Sequence, residues 1–184
     1  GSFRLSGNRF GQKGDQPIVE VSWHGAQAFA KWLTRKVGKK FRLPTETEWQ
    51  YAARSGGKKP KYVVGEALST VANDQVVWFK DLSNEHTNEV GNREVGSKTP
   101  NGLGIYDISG NVLEWCHNLY NKSYYSRNSK DNPQKLLSGA ERIYRDHVWV
   151  KIKGKKTLLT RGKGDSDLTS PDLGFRLCLP QSGD

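Results

Sequence analysis

A helical period occupies residues 23 to 53 of this 184-residue chain and then disappears, so most of the fold must be built without long helices. Between Trp23 and Val37, apolar residues fall at Ala26, Phe29, Ala30, Leu33 and Val37, the steps of one buried helical face. Ser22 stands where an N-cap belongs, and Gly38 stops the turn. Thr45 and Glu48 have capping-box spacing and predict a second helix that closes at Gly56-Gly57. Beyond it the chain reads as strand and loop. Short β-rich runs are expected at residues 17–21, 112–117, 143–152, 157–160 and 175–179, the third and fourth forming a hairpin around Gly154. Residues 58–101 read as a long irregular region anchored by Val76-Val77-Trp78-Phe79, and residues 121–139 as a polar surface loop. Two early helices and a set of small, irregular antiparallel sheets make an α+β, loop-rich fold.

Mean hydropathy is −0.76 and only 34% of residues are hydrophobic, yet six Trp, seven Tyr and six Phe supply a core. No apolar run approaches the roughly 20 residues that cross a bilayer, so membrane insertion is not expected. Gly1-Ser2 reads as the remnant of a cleaved tag, residues 1–16 as an extended lead-in, residues 17–180 as one domain and residues 181–184 as a tail. Two cysteines, Cys116 and Cys178, exclude a disulfide scaffold and a four-cysteine zinc site. They either pair or pack as buried thiols, and the second reading is favoured. His24, His86, His117 and His147 are scattered, without metal-ligand spacing.

Five phrases occur in order: Pro17-Ile18-Val19-Glu20-Val21-Ser22-Trp23; Phe41-Arg42-Leu43-Pro44-Thr45-Glu46-Thr47-Glu48-Trp49 continuing to Arg54; Asn101-Gly102-Leu103-Gly104-Ile105-Tyr106-Asp107; Gly110-Asn111-Val112-Leu113-Glu114-Trp115; and Gly174-Phe175-Arg176-Leu177. Together they resemble the formylglycine-generating enzyme (sulfatase-modifying factor) family, a branch of the C-type lectin-like fold. The resemblance covers most of the chain from Pro17 to Leu179. It implies that fold, and it identifies these residues chiefly as fold determinants.

The departures bear on function. In the family's enzymes an R-G-G-S-(W/Y) strand leads into two cysteines that bind copper(I), a soft ion suited to two thiolates. The corresponding stretch here is Arg145-Asp146-His147-Val148-Trp149, and no cysteine occurs after it before Cys178. The resemblance therefore implies no copper and no catalytic residue. It does imply a Ca²⁺ site at the turn from Asp107 to Glu114, with Asp107, Gly110, Val112 and Glu114 as oxygen ligands. The competing expectation is that Asp107 caps the turn and Glu114 pairs with Arg176.

The net charge is +10, and residues 142–163 carry eight basic residues against Asp146 alone. A basic, aromatic hairpin displaying Tyr144, Arg145, His147, Trp149, Lys151, Lys153 and Arg161 would suit an acidic protein or ligand, or nucleic acid. The plain alternative is a solubilising hairpin whose lysines discourage edge pairing. The expected function is a non-catalytic binding domain, one family example being the variable protein of diversity-generating retroelements. A regulatory or structural accessory domain beside a kinase or secretion system is the alternative, and a residual enzyme the last. The short lead-in would leave a sheet edge open to association.

Overall fold

The structure is a computed structural model and describes residues 14–57, 93–121, 141–145 and 161–180. Helix α1 runs Trp23–Val37 and α2 runs Glu46–Ala53. Strands β1 (Leu113–Leu119), β2 (Arg142–Arg145), β3 (Arg161–Gly164) and β4 (Leu173–Gly174) form one sheet in the order β3-β2-β1-β4. The described residues hold two helices and one small sheet, the α+β class that the periodicity implied. No described helix is long and apolar enough to cross a membrane.

Local chemistry sets both helices. The Ser22 hydroxyl accepts the Gly25 N–H at 3.1 Å, and Gly38 takes the left-handed conformation (φ 74°) while donating its N–H to the Thr34 carbonyl. At α2 the capping box is complete: Thr45 Oγ1 accepts the Glu48 N–H, and Glu48 Oε2 accepts the Thr45 N–H at 2.8 Å. Arg42 then grips both Glu48 oxygens at 2.7 Å. This fork, with the cap, holds the Glu48 carboxyl at about 2 against an ordinary 4.5. A depressed carboxylate contributes stability above its unfolded pKa, and that contribution is lost as pH falls through the folded value. Both side chains are well exposed, so Glu48→Gln should cost only about 0.5–1 kcal/mol at pH 7. Urea titrations of the two proteins should converge as pH drops from about 4 to about 2.

Strand β1 is the common wall of two cores. Trp115 and Cys116, adjacent in β1, point to opposite faces. Cys116 joins Trp49 and Ala53 of α2, Ile108 and Ile143, whereas Trp115 joins Trp23 and Ala26 of α1, Leu43 and Leu173. Two indole N–H groups stitch the elements together: Trp23 donates to the Cys116 carbonyl and Trp115 to the Val21 carbonyl, each at 2.9 Å.

Four expectations are corrected. The sheet is mixed, because β4 runs parallel to β1 through Leu113↔Leu173 and Glu114↔Gly174. The chain leaves β3 through a turn at residues 165–172 and returns alongside β1 in the same direction, docked by the Leu113 N–H on the Asp172 carbonyl. The last strand therefore ends at Gly174, and of residues 175–179 only Cys178 makes a bridge, to Arg42. At residues 17–21 only Val19 bridges to Gly174, because Glu20 adopts a positive φ of 57° and breaks the extended run. On α1 the buried positions are Trp23, Ala26 and Ala30, while Phe29 and Val37 are exposed. The helix settles onto Trp23 and its two alanines and leaves Phe29 and Trp32 at a groove. The expected strand at residues 157–160, the far half of the strand at residues 143–152 and the Val76-Phe79 anchor lie outside the described residues.

Candidate functional site

The recognition residues expected in the basic stretch divide into two sets. Arg145 and Arg161 are register partners across β2 and β3, as are Tyr144 and Gly162. Arg145 is 1% exposed, and both guanidiniums converge on Glu46, which is equally buried: Arg145 NH1 lies 3.3 Å and Arg161 Nε 2.8 Å from Glu46 Oε1. Arg161 also donates to the Asn121 carbonyl and lies over the Tyr120 ring, while Arg145 lies over Trp49. The Tyr144 ring meets Trp115 edge-on, and a Cβ at Gly162 would fall inside that ring. Burial pushes the Tyr144 hydroxyl up. Arg145 is therefore buried, and Tyr144 and Arg161 are partly buried and held by contacts within the protein where β2 and β3 pair. His147, Trp149, Lys151 and Lys153 lie outside the described residues.

Two more basic residues of these strands are held from within. Arg142 stacks on the Trp23 ring at 3.7 Å and donates to the His117 carbonyl, and Lys163 pairs with Glu141 at 2.6 Å. Four of the eight basic residues of this stretch thus have partners within the protein. The other four, Lys151, Lys153, Lys155 and Lys156, lie outside the described residues.

At the second candidate site, a turn with positive φ at Asp107, Gly110 and Asn111 delivers the chain into β1. Asp107 Oδ2 accepts the Gly96 N–H, while Asp107 Oδ1 is buried and has no hydrogen-bond donor. The Asn111 side chain clamps the Arg93 backbone from both sides. Glu114 Oε2 accepts Trp49 Nε1 and Arg176 Nε, and Oε1 accepts a second Arg176 N–H, all at 2.6 Å. Arg176 also donates to the carbonyls of Tyr106 and Asp107. Among the described residues no three His, Cys, Asp or Glu side chains cluster as metal ligands. A calcium ion here would rely on Asp107 Oδ1, the Gly110 and Val112 carbonyls and the remaining acceptor capacity of Glu114 Oε1. The unsatisfied Asp107 oxygen fits that role, and the Arg176 guanidinium on Glu114 would weaken the hold.

Both cysteines are free. Cys116 is wholly buried, and burial drives its thiol well above the ordinary range, with Glu46 adding to the shift. Burial also raises Cys178, which accepts an Arg42 N–H. Copper(I) binds thiolates, and both environments favour the protonated thiol.

Comparison with known proteins fits this geometry. A family model described as the sulfatase-modifying factor enzyme 1-like domain matches residues 2–180. The chain belongs to this family. Within the sulfatase-modifying factor family it is 32% identical over 169 residues to a formylglycine-generating enzyme of Streptomyces coelicolor, covering 88% of this chain and 52% of that protein. It is 33% identical over 162 residues to the serine/threonine-protein kinase pkn1 of Chlamydia pneumoniae, covering 87% of this chain and 23% of the kinase. An inactive Cα-formylglycine-generating enzyme 2 of Bos taurus is 32% identical over 181 residues, 96% of this chain and 54% of that protein. The family thus holds enzymes and inactive members alike, and the chain spans about half the length of the formylglycine-generating relatives named here. Among solved structures, Treponema denticola variable protein 1 superposes with a TM-score of 0.70 at 24% identity, covering 97% of this chain and 76% of that one. PvdO from Pseudomonas aeruginosa gives 0.71 at 25% identity, with 92% and 64% covered. These likenesses carry the C-type lectin-like, formylglycine-generating-enzyme type of fold.

Sequence reasoning missed two features. Glu46 stands in the first turn of α2, where an acid suits the helix dipole, and nothing local marks it as the counter-ion of two strand arginines. The groove beside Phe29 and Trp32 was hidden because Phe29 has the spacing of a core residue. The only available signal was the bulk of Trp32 on the charged face of α1.

Proposed function

We propose that this chain is a non-catalytic binding module whose recognition element is the segment joining β2 to β3, with His147, Trp149, Lys151 and Lys153 as its contact residues. The observation that carries this reading is the buried Glu46–Arg145–Arg161 cluster at the base of the segment. In the enzymes that this chain resembles, copper cysteines come after the equivalent strand. Here that strand ends in an ion pair, and burial shifts both thiols of the chain upward. The partner is an acidic protein or another polyanionic ligand. Likeness to a variable protein supports display over catalysis.

An array of acidic peptides, phosphopeptides and sulfated glycans tests the proposal with Lys151→Glu/Lys153→Glu beside the parent protein. Retention should fall at least about tenfold in the variant, with an unchanged melting temperature. A phosphate-driven partner should also dissociate steeply between about 50 and 200 mM salt. An identical array profile for the variant would overturn the assignment. The kinase relatives support a second reading, an accessory domain of a larger regulatory protein. It predicts binding to a partner domain of the same polypeptide that ignores the two lysines.

Calcium at the Asp107 turn is proposed on the strength of the unsatisfied Asp107 oxygen. Moving from chelator to about 10 mM calcium should raise the melting temperature by about 5 °C, as expected for a site of roughly submillimolar affinity. No shift after exhaustive chelation would remove it.

A further inference from the structure

A cavity of about 1070 Å³ opens between the outer side of α1, the residues leading into it and the turn before β1. Ile18, Phe29, Trp32, Val95 and Tyr106 line it, and each remains at least 36% exposed. Phe175 packs edge-on against Phe29 within it. Half of the large apolar side chains exposed among the described residues therefore face one concavity. Scattered surface hydrophobics need no explanation, but a contiguous set around a cleft marks an interaction site.

At the α1 end of the groove the charge is one-signed, whereas Asp107, Glu114 and Arg176 line the other end. Gly25, Phe29, Trp32 and Lys36 are spaced i, i+4, i+7, i+11 along α1, so the apolar stripe runs directly into a cation. Lys36 Nζ sits 4.9 Å from the centre of the Trp32 ring, and Arg35, Lys39 and Lys40 are exposed beside it. No Asp or Glu occurs from Val21 to Thr45. At the opposite end Arg176 is matched by Glu114, and Asp107 is turned onto the Gly96 N–H.

We propose that this groove is a docking site for an acidic peptide segment of a partner protein, with a large apolar side chain seated against Phe29 and Trp32 and its carboxylates over the basic end of α1. A concave cleft receives an anchoring side chain, whereas a bilayer surface is met by protruding ones, so the shape favours a peptide over a membrane. None of the residues named for this site belongs to the segment between β2 and β3.

Phage display of random dodecapeptides on the full chain tests it, with subsequent titration of synthetic versions of the selected peptides. Selected sequences should combine Asp or Glu with Trp, Phe or Leu. They should bind at least about tenfold more weakly to Trp32→Ala and to Lys36→Glu, and with unchanged affinity to Lys151→Glu/Lys153→Glu. Lys36 is exposed, so Lys36→Glu carries the test even if Trp32→Ala lowers the melting temperature. Peptides that bind both groove variants as well as the parent overturn the proposal. So does Lys36-dependent binding to phosphatidylserine vesicles without peptide selection, which would make the face a membrane contact. A concentration-dependent dimer abolished by Trp32→Ala would overturn it in favour of a second copy of the chain.

Discussion

Glu46→Ala should cost about 3–5 kcal/mol, a loss that takes much of the margin by which a domain of this size stays folded. The carboxylate is 1% exposed and is the shared counter-ion of Arg145 and Arg161, whose side chains are 1% and 13% exposed. Truncation removes the carboxylate shared by two guanidiniums that lie against Trp49 and Tyr120, and the loss of their buried counter-charge sets the size of the effect. Urea denaturation should show the midpoint falling with the slope unchanged. Glu46→Gln keeps an acceptor but not the charge, and should lie between the parent and the alanine variant. Raising salt should rescue neither, because the pairs are shielded from solvent. A loss below about 1 kcal/mol would mean that the two arginines find other partners.

Trp49→Ala should be of similar severity, again about 3–5 kcal/mol. The indole is 1% exposed at the centre of the cluster that α2 makes with Ile108, Cys116 and Ile143. Its N–H also donates to Glu114 at 2.6 Å, inside the carboxylate system that holds Arg176. Trp49→Phe separates the two contributions, because it keeps most of the ring volume and removes the donor. Its cost should be about 1–3 kcal/mol, as expected for depriving a buried carboxylate of a hydrogen bond. Thermal melts of the two variants give the division. If Phe and Ala are equally damaging, the hydrogen bond and not the packing secures α2 to β1.

The sequence made some of this legible because some of it is local. Both helix starts and the end of α1 could be read from their caps, since Ser22, Gly38, Thr45 and Glu48 act within four residues of where they stand, whereas α2 ends at Ala53, short of the Gly56-Gly57 pair expected to close it. Strand β1 could be seen in the alternation around Trp115. Its parallel neighbour could not, because two residues, Leu173 and Gly174, are too few to show a period. The site divides in the same way. The family phrases located the turn at Asp107, and the pairing of Glu114 with Arg176 was one of the two expectations for it. Arg145 and Arg161 read as surface charge because their partner, Glu46, lies 99 and 115 positions earlier. Charge counts along a chain carry no information about depth. Phe29 misled for the opposite reason: its spacing was that of a core residue, and the core was filled by Ala26 and Ala30 instead.

The pairing of Arg145 with Arg161 has a practical meaning for protein engineering. Paired positions of an antiparallel ladder hold their Cα atoms about 5 Å apart, so the chain leaves and re-enters the sheet through a narrow gate. The residues that brace this gate (Glu46, Trp49, Tyr120, Tyr144 and Gly162) all lie outside the intervening segment. Foreign loops spliced between these two positions would meet a frame already closed beneath them. The protein is in that sense a ready-made chassis, in which binding specificity can be exchanged while the folding instructions stay where they are.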